Sequence, residues 1–125
     1  MSIDRYANLA IANILKEGLT DIFPEPFEVG LLKCKEFQKI IKAELCKAVT
    51  GGSLESLRMH PIEHVLLPKT TAFNFRRCAL IHPIDTLKYL TLALTVAEAI
   101  EKQRVPISKQ IVFSYRFAPS VQSQR

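Results

Sequence analysis

The sequence predicts an α+β fold of about three helices with a small antiparallel sheet. Three observations carry this expectation. Residues 1–17, 28–49 and 83–104 repeat apolar side chains at helical spacing, residues 62–81 hold two short apolar runs between prolines, and residues 110–117 alternate as a strand does. At 125 residues the chain is long enough for one core that buries roughly two-thirds of its unfolded surface, and too short for two ordinary domains. One domain spanning residues 1–125 is therefore expected.

Taken in order, Ser2 or Asp4 can cap a first helix whose apolar residues are Ile3, Tyr6, Ala7, Ala10, Ile14 and Leu15. Gly18 suits its end. Pro24 and Pro26 then forbid regular helix and favour a connector anchored by Ile22, Phe23 and Phe27. From about Glu28 to Val49, Leu31, Leu32, Phe37, Ile40, Ile41, Leu45, Ala48 and Val49 form one stripe, with Lys35, Glu36, Lys39 and Lys42 elsewhere around the helix. Thr50-Gly51-Gly52 ends it, and residues 50–61 read as loop with at most one short turn near Leu54 to Arg58.

Ile62–Leu67 and Phe73–Ile81 pair as an antiparallel hairpin across a loop at Lys69–Ala72. Pro83 fits the first position of a third helix, Asp85 favours the positive end of its dipole, and Leu87, Leu90, Leu94, Ala97 and Ile100 line one face. Val105-Pro106 stops this helix. Ile111, Phe113, Tyr115 and Phe117 then share a face of a strand over residues 110–117.

Hydrophobic content of 48% against 23% charged residues is globular composition, without a low-complexity tract or an internal repeat. Cys34, Cys46 and Cys78 are odd in number and widely spaced, which argues against a disulfide framework or zinc ribbon and for a reducing compartment. No signal-type run opens the chain, and the most apolar stretch, Tyr89 to Ile100, is interrupted by Thr91, Thr95 and Glu98. A cytoplasmic, non-membrane protein is expected. The net charge of +5 is uneven: residues 1–30 hold two basic and five acidic side chains, the remainder fifteen and seven. The basic part suits a polyanion such as nucleic acid.

The most regular chemical pattern is His60-Pro-Ile-Glu-His64, an H-x-x-E-H sequence that binds zinc when a helix puts the two imidazoles one turn apart. Pro61 and the strand-like continuation to Pro68 argue against that helix. On a strand the two histidines would lie roughly 13 Å apart, too far for one ion. The hairpin offers a second pattern. Lys69 sits at its turn and Arg76 and Arg77 follow on the return strand, where alternation lets only one arginine share the Lys69 side. Two cations on one face can clamp a triphosphate or a nucleic-acid backbone, the arginine as a bidentate fork. The same charges also discourage edge-to-edge strand pairing, and spacing alone leaves both readings open. Ser108 and Ser114 have no neighbouring histidine or elbow glycines, so a serine nucleophile is not indicated.

The order of several short motifs adds a resemblance. Asp21-Ile-Phe-Pro-Glu-Pro-Phe-Glu28, Leu67-Pro-Lys69, Phe75-Arg76, His82-Pro-Ile-Asp85 with Tyr89, and Val112-Phe-Ser-Tyr-Arg-Phe117 resemble the N-terminal part of bacterial reverse transcriptases. The likeness is to the divergent group associated with antiphage defence, including abortive-infection types. It implies the fingers of a right-hand RNA-directed DNA polymerase, a nucleotidyltransferase. Pro68-Lys69 and Phe75-Arg76 match the hairpin whose lysine and arginine hold the incoming triphosphate, and Arg76 is favoured over Arg77. Pro83 and Asp85 match the start of the next fingers helix, whereas Glu28, Tyr115 and Arg116 match positions without an assigned role.

The departure from that family concerns catalysis. Nucleotidyl transfer needs carboxylates holding two Mg2+ ions about 4 Å apart, and the family supplies them from a strand aspartate and a Tyr-x-Asp-Asp turn. The sequence ends before either, and Asp4, Asp21 and Asp85 lie in other contexts. The resemblance thus implies a truncated fingers segment, catalytically inactive alone and without a cofactor of its own. Its expected partners are a nucleotide or nucleic acid, and a missing palm segment or a second copy. The alternative is a stand-alone nucleic-acid- or protein-binding module without a polymerase role.

Overall fold

Leu32, Leu45 and Leu87 are the largest apolar side chains sealed from solvent, and they come from three different helices or helix ends. The computed structural model describes residues 2–20, 23–53, 55 and 57–111. Its elements are α1 (Ile3–Glu17), α2 (Phe27–Leu31), α3 (Lys35–Thr50), β1 (Glu63–Pro68), β2 (Phe75–Leu80) and α4 (Pro83–Gln103), followed by a 3-10 turn at Ile107–Lys109. The α+β class expected from the sequence is therefore present. No helix among the described residues is long and apolar enough to cross a membrane.

α4 packs on α1 and α3 and touches α2. Ala7, Ala10, Ile11 and Ile14 of α1 meet Val29, Leu32, Ile41, Leu45 and Leu87 in one cluster, with Leu90 and Leu94 packed against it. Each fully buried leucine contributes about 1.5–3 kcal/mol through apolar area removed from water. The buried face of α4 differs from the expected one. Thr91 is fully buried, its hydroxyl donating to the Leu87 carbonyl at 2.8 Å, whereas Ile100 lies exposed. In α1 it is Ile11, not Leu15, that enters the core.

The single helix expected over residues 28–49 is divided. α2 stops at Leu31, and α3 restarts at Lys35 after Cys34 adopts an extended backbone. The turn is held by Lys33 N–H donating to the Gly30 carbonyl, Cys34 N–H donating to the Leu31 carbonyl, and the Gln38 side-chain amide donating to the Leu32 carbonyl at 2.6 Å. Redirecting the chain here buries both Val29 and Leu32 while α3 lays Ile41 and Leu45 on the same core. Ile40, on the expected stripe, is left exposed.

Gly18 ends α1 with φ 77° and ψ −178°, a region essentially reserved for glycine. The hairpin β1–β2 is antiparallel, with Val65 opposite Cys78, Leu66 opposite Arg77 and Leu67 opposite Arg76. Its loop runs to Asn74, not Ala72, because Phe73 takes φ 62° and leaves the strand conformation. Gln110 also has positive φ, and neither it nor Ile111 is in a strand. The rest of the expected 110–117 strand lies outside the described residues, as does part of the short turn near Leu54 to Arg58.

Candidate functional site

Two groups of polar side chains stand out, one at the base of the hairpin and one towards its tip. At the base, residues 57–60 close against the start of α4. Asp85, 1% exposed, accepts from the His60 backbone N–H at 2.6 Å and lies 3.0 Å from His60 Nδ1. Lys88 Nζ donates to Asp85 Oδ1 at 3.3 Å and to the carbonyls of Leu57 and Arg58 at 3.3 and 2.7 Å. Burial alone would push the Asp85 carboxyl up, but the His60 hydrogen bonds and the Lys88 ammonium outweigh it and hold the carboxyl below its ordinary value. An ionised carboxylate only accepts, so His60 carries its proton on Nδ1.

His82 stacks on His60, with ring centroids 3.9 Å apart. Its Nδ1 accepts from Ile84 N–H at 3.3 Å, which caps α4 and puts the proton of the neutral ring on Nε2, 3.9 Å from Glu28 Oε1. A shallow cleft of ≈ 330 Å³ opens beside the two rings, bordered by Pro26, Glu63, Leu80 and Pro83. A histidine held by a buried aspartate is the base half of a nucleophile-activating arrangement. Among the described residues, however, no hydroxyl or thiol is bonded to His60. The shared use of Asp85 by His60 and Lys88 ties three residues of one loop to the first two turns of α4, which is a structural duty.

The H-x-x-E-H sequence runs through irregular backbone into β1, so its histidines do not meet on a helix turn. His60 turns to Asp85, while His64 is exposed on the strand opposite Ala79. Among the described residues no three metal-ligating side chains converge.

Towards the tip, the hairpin register sorts the cations. Val65, Leu67, Cys78 and Leu80 share one half-buried face, on which Arg76 stands opposite Leu67. Lys69 N–H donates to the Asn74 carbonyl at 2.9 Å, extending the ladder by one pair and bringing Lys69 to the same face by alternation. Lys69 and Arg76 are then diagonal neighbours, with backbones roughly 7 Å apart. Arg77 belongs to the other face with His64, Leu66, Pro68, Phe75 and Ala79, all exposed.

Lys69, Arg76 and Arg77 are all exposed, and none forms an ion pair with a carboxylate among the described residues. The ten residues from Pro68 to Arg77 contain these three cations and no acidic side chain. Such an arrangement can accept an anion without first breaking an internal pair. Tyr115 and Arg116 lie outside the described residues.

Sequence reasoning placed Asp85 only against the helix dipole and missed its partners. A signal was present in His82-Pro83-Ile84-Asp85, which marks a helix start, but His60 lies 25 residues earlier and no local pattern joins them. Compared with known proteins, the chain matches no family model, no curated protein and no solved structure.

Proposed function

We propose that this chain is a fingers-like segment of a reverse-transcriptase-like protein, whose hairpin grips the phosphates of a nucleotide or a nucleic acid. The role is binding and not nucleotidyl transfer. One observation supports it above the others: Lys69 and Arg76 share a hairpin face, both exposed and without a carboxylate partner among the described residues. A lysine supplies a compact charge and an arginine a planar fork, the combination that suits adjacent phosphate oxygens. The ordered motifs from Leu67 to Tyr89 support the family context of the reading. A stand-alone binding module would use the same two cations without that context.

The test is equilibrium binding of a nucleoside triphosphate and of single-stranded RNA across a salt series. Binding should weaken as salt rises, and the Lys69→Ala, Arg76→Ala double variant should bind more weakly than the parent. An unchanged affinity in the double variant removes the clamp. Preference for the triphosphate over RNA of equal charge favours the polymerase context over a general binding module.

A further inference from the structure

The outer face of the hairpin and its tip hold apolar side chains that folding does not use. Phe73 is 98% exposed, and Phe75 and Leu66 are 57% and 63% exposed. Phe73 also carries φ 62°, a left-handed backbone that a bulky residue adopts at a cost and that glycine or asparagine would adopt more easily. It follows Ala72 in a turn closed by Asn74 N–H donating to the Thr71 carbonyl at 3.3 Å and by the Asn74 amide donating to the Thr71 hydroxyl at 3.1 Å. Neither burial nor backbone preference accounts for an aromatic ring there.

Charge decides what could cover these rings. Phe75 and Arg77 are two residues apart on one strand and therefore share the outer face, opposite Pro68 and Leu66. With Lys69 and Arg76 on the inner face, the distal hairpin is cationic on both sides and without a carboxylate from Pro68 to Arg77. A second copy would bring the same cations against these, which opposes self-pairing through this surface. A single-stranded nucleic acid supplies what the surface lacks: phosphates for Arg77 and flat bases for the two rings. A duplex keeps its bases stacked within and offers the rings nothing.

We propose that Phe73 and Phe75, with Arg77, form a base-stacking platform for single-stranded nucleic acid on the tip and outer face of the hairpin. The platform rests on the phosphate-binding reading of the hairpin but uses different residues. The Lys69–Arg76 face holds phosphate alone, while the platform distinguishes a strand that has bases from one that does not.

The experiment compares a short uridine oligomer with an abasic oligomer of equal length and charge. Both are titrated into the parent, the Phe73→Leu, Phe75→Leu variant and the Lys69→Ala, Arg76→Ala variant. Leucine keeps the apolar surface and removes the ring, and both positions are exposed, so thermal unfolding should match the parent. The parent should bind the uridine oligomer roughly tenfold more tightly than the abasic one. The phenylalanine variant should lose that difference while its abasic binding and salt dependence stay as in the parent.

Equal parental affinity for the two oligomers overturns the platform and leaves the phosphate grip standing. A parental preference for bases that survives in the phenylalanine variant also overturns it, because the bases are then held elsewhere. Absence of binding to either oligomer, and to triphosphate, overturns the phosphate reading and the platform with it.

Discussion

In the helical half, Leu32, Leu45 and Leu87 are closed off from water, and the carboxylate buried there among the described residues, Asp85, receives hydrogen bonds from His60 and Lys88. In the distal hairpin, Leu66, Phe73 and Phe75 face solvent, and three cations stand without a carboxylate partner among the described residues. The helices lean on one another, while the principal contacts of each strand are with the other strand. Folding accounts for the buried side chains of the first region, although Ile40 and Ile100 there also face solvent. It does not account for the exposed side chains of the second, and that remainder is where a ligand is to be sought.

The sharpest way to break this contrast is to truncate two residues of the helical half. Leu87→Ala opens a cavity where α4 meets the other helices and should lower stability by about 4 kcal/mol in denaturant unfolding. Asp85→Ala strands the His60 N–H and leaves Lys88 with only carbonyl partners, at a cost of about 3 kcal/mol. If either change proved neutral, the helical half would not be the rigid support described.

Asp85 also sets a pH dependence. Its carboxyl titrates below the ordinary value in the folded chain, so its contribution is fully present above the unfolded value of about 4 and is lost as pH falls towards the folded value. Unfolding measured from neutral to acid pH should show this loss in the parent and a flatter curve in Asp85→Asn. An equal slope in both would place the acid sensitivity in other carboxylates.

The smallest expected stability effect belongs to the hairpin tip. Phe73→Gly relieves a left-handed backbone at the expense of a more flexible unfolded chain, for a net gain on the order of 0.5 kcal/mol. A loss of stability instead would show that the ring makes a contact within the folded chain.

How much of this was readable beforehand depends on whether the determining partners are near in sequence. α1, the hairpin and α4 follow from spacing, prolines and a glycine, all local signals. The break between α2 and α3 does not, because no proline or glycine stands at Leu32–Cys34 and the carbonyl of Leu32 is satisfied by Gln38, a pairing without a standard motif. Asp85 shows the same limit across 25 residues. Alternation lets only one of the two arginines share the Lys69 side, but which one is set by the observed register and loop, which Phe73 lengthens by leaving the strand.

Lys69 and Arg76 stand on one face of the hairpin, where they can act together, and Arg77 stands on the other. A double-mutant cycle on triphosphate binding tests it most directly, using Lys69→Ala with Arg76→Ala and Lys69→Ala with Arg77→Ala. The first pair should couple clearly and the second should be additive, with thermal unfolding that differs from the parent by no more than about 0.5 kcal/mol throughout. Coupling of Lys69 to Arg77 but not to Arg76, or binding indifferent to all three, would contradict it.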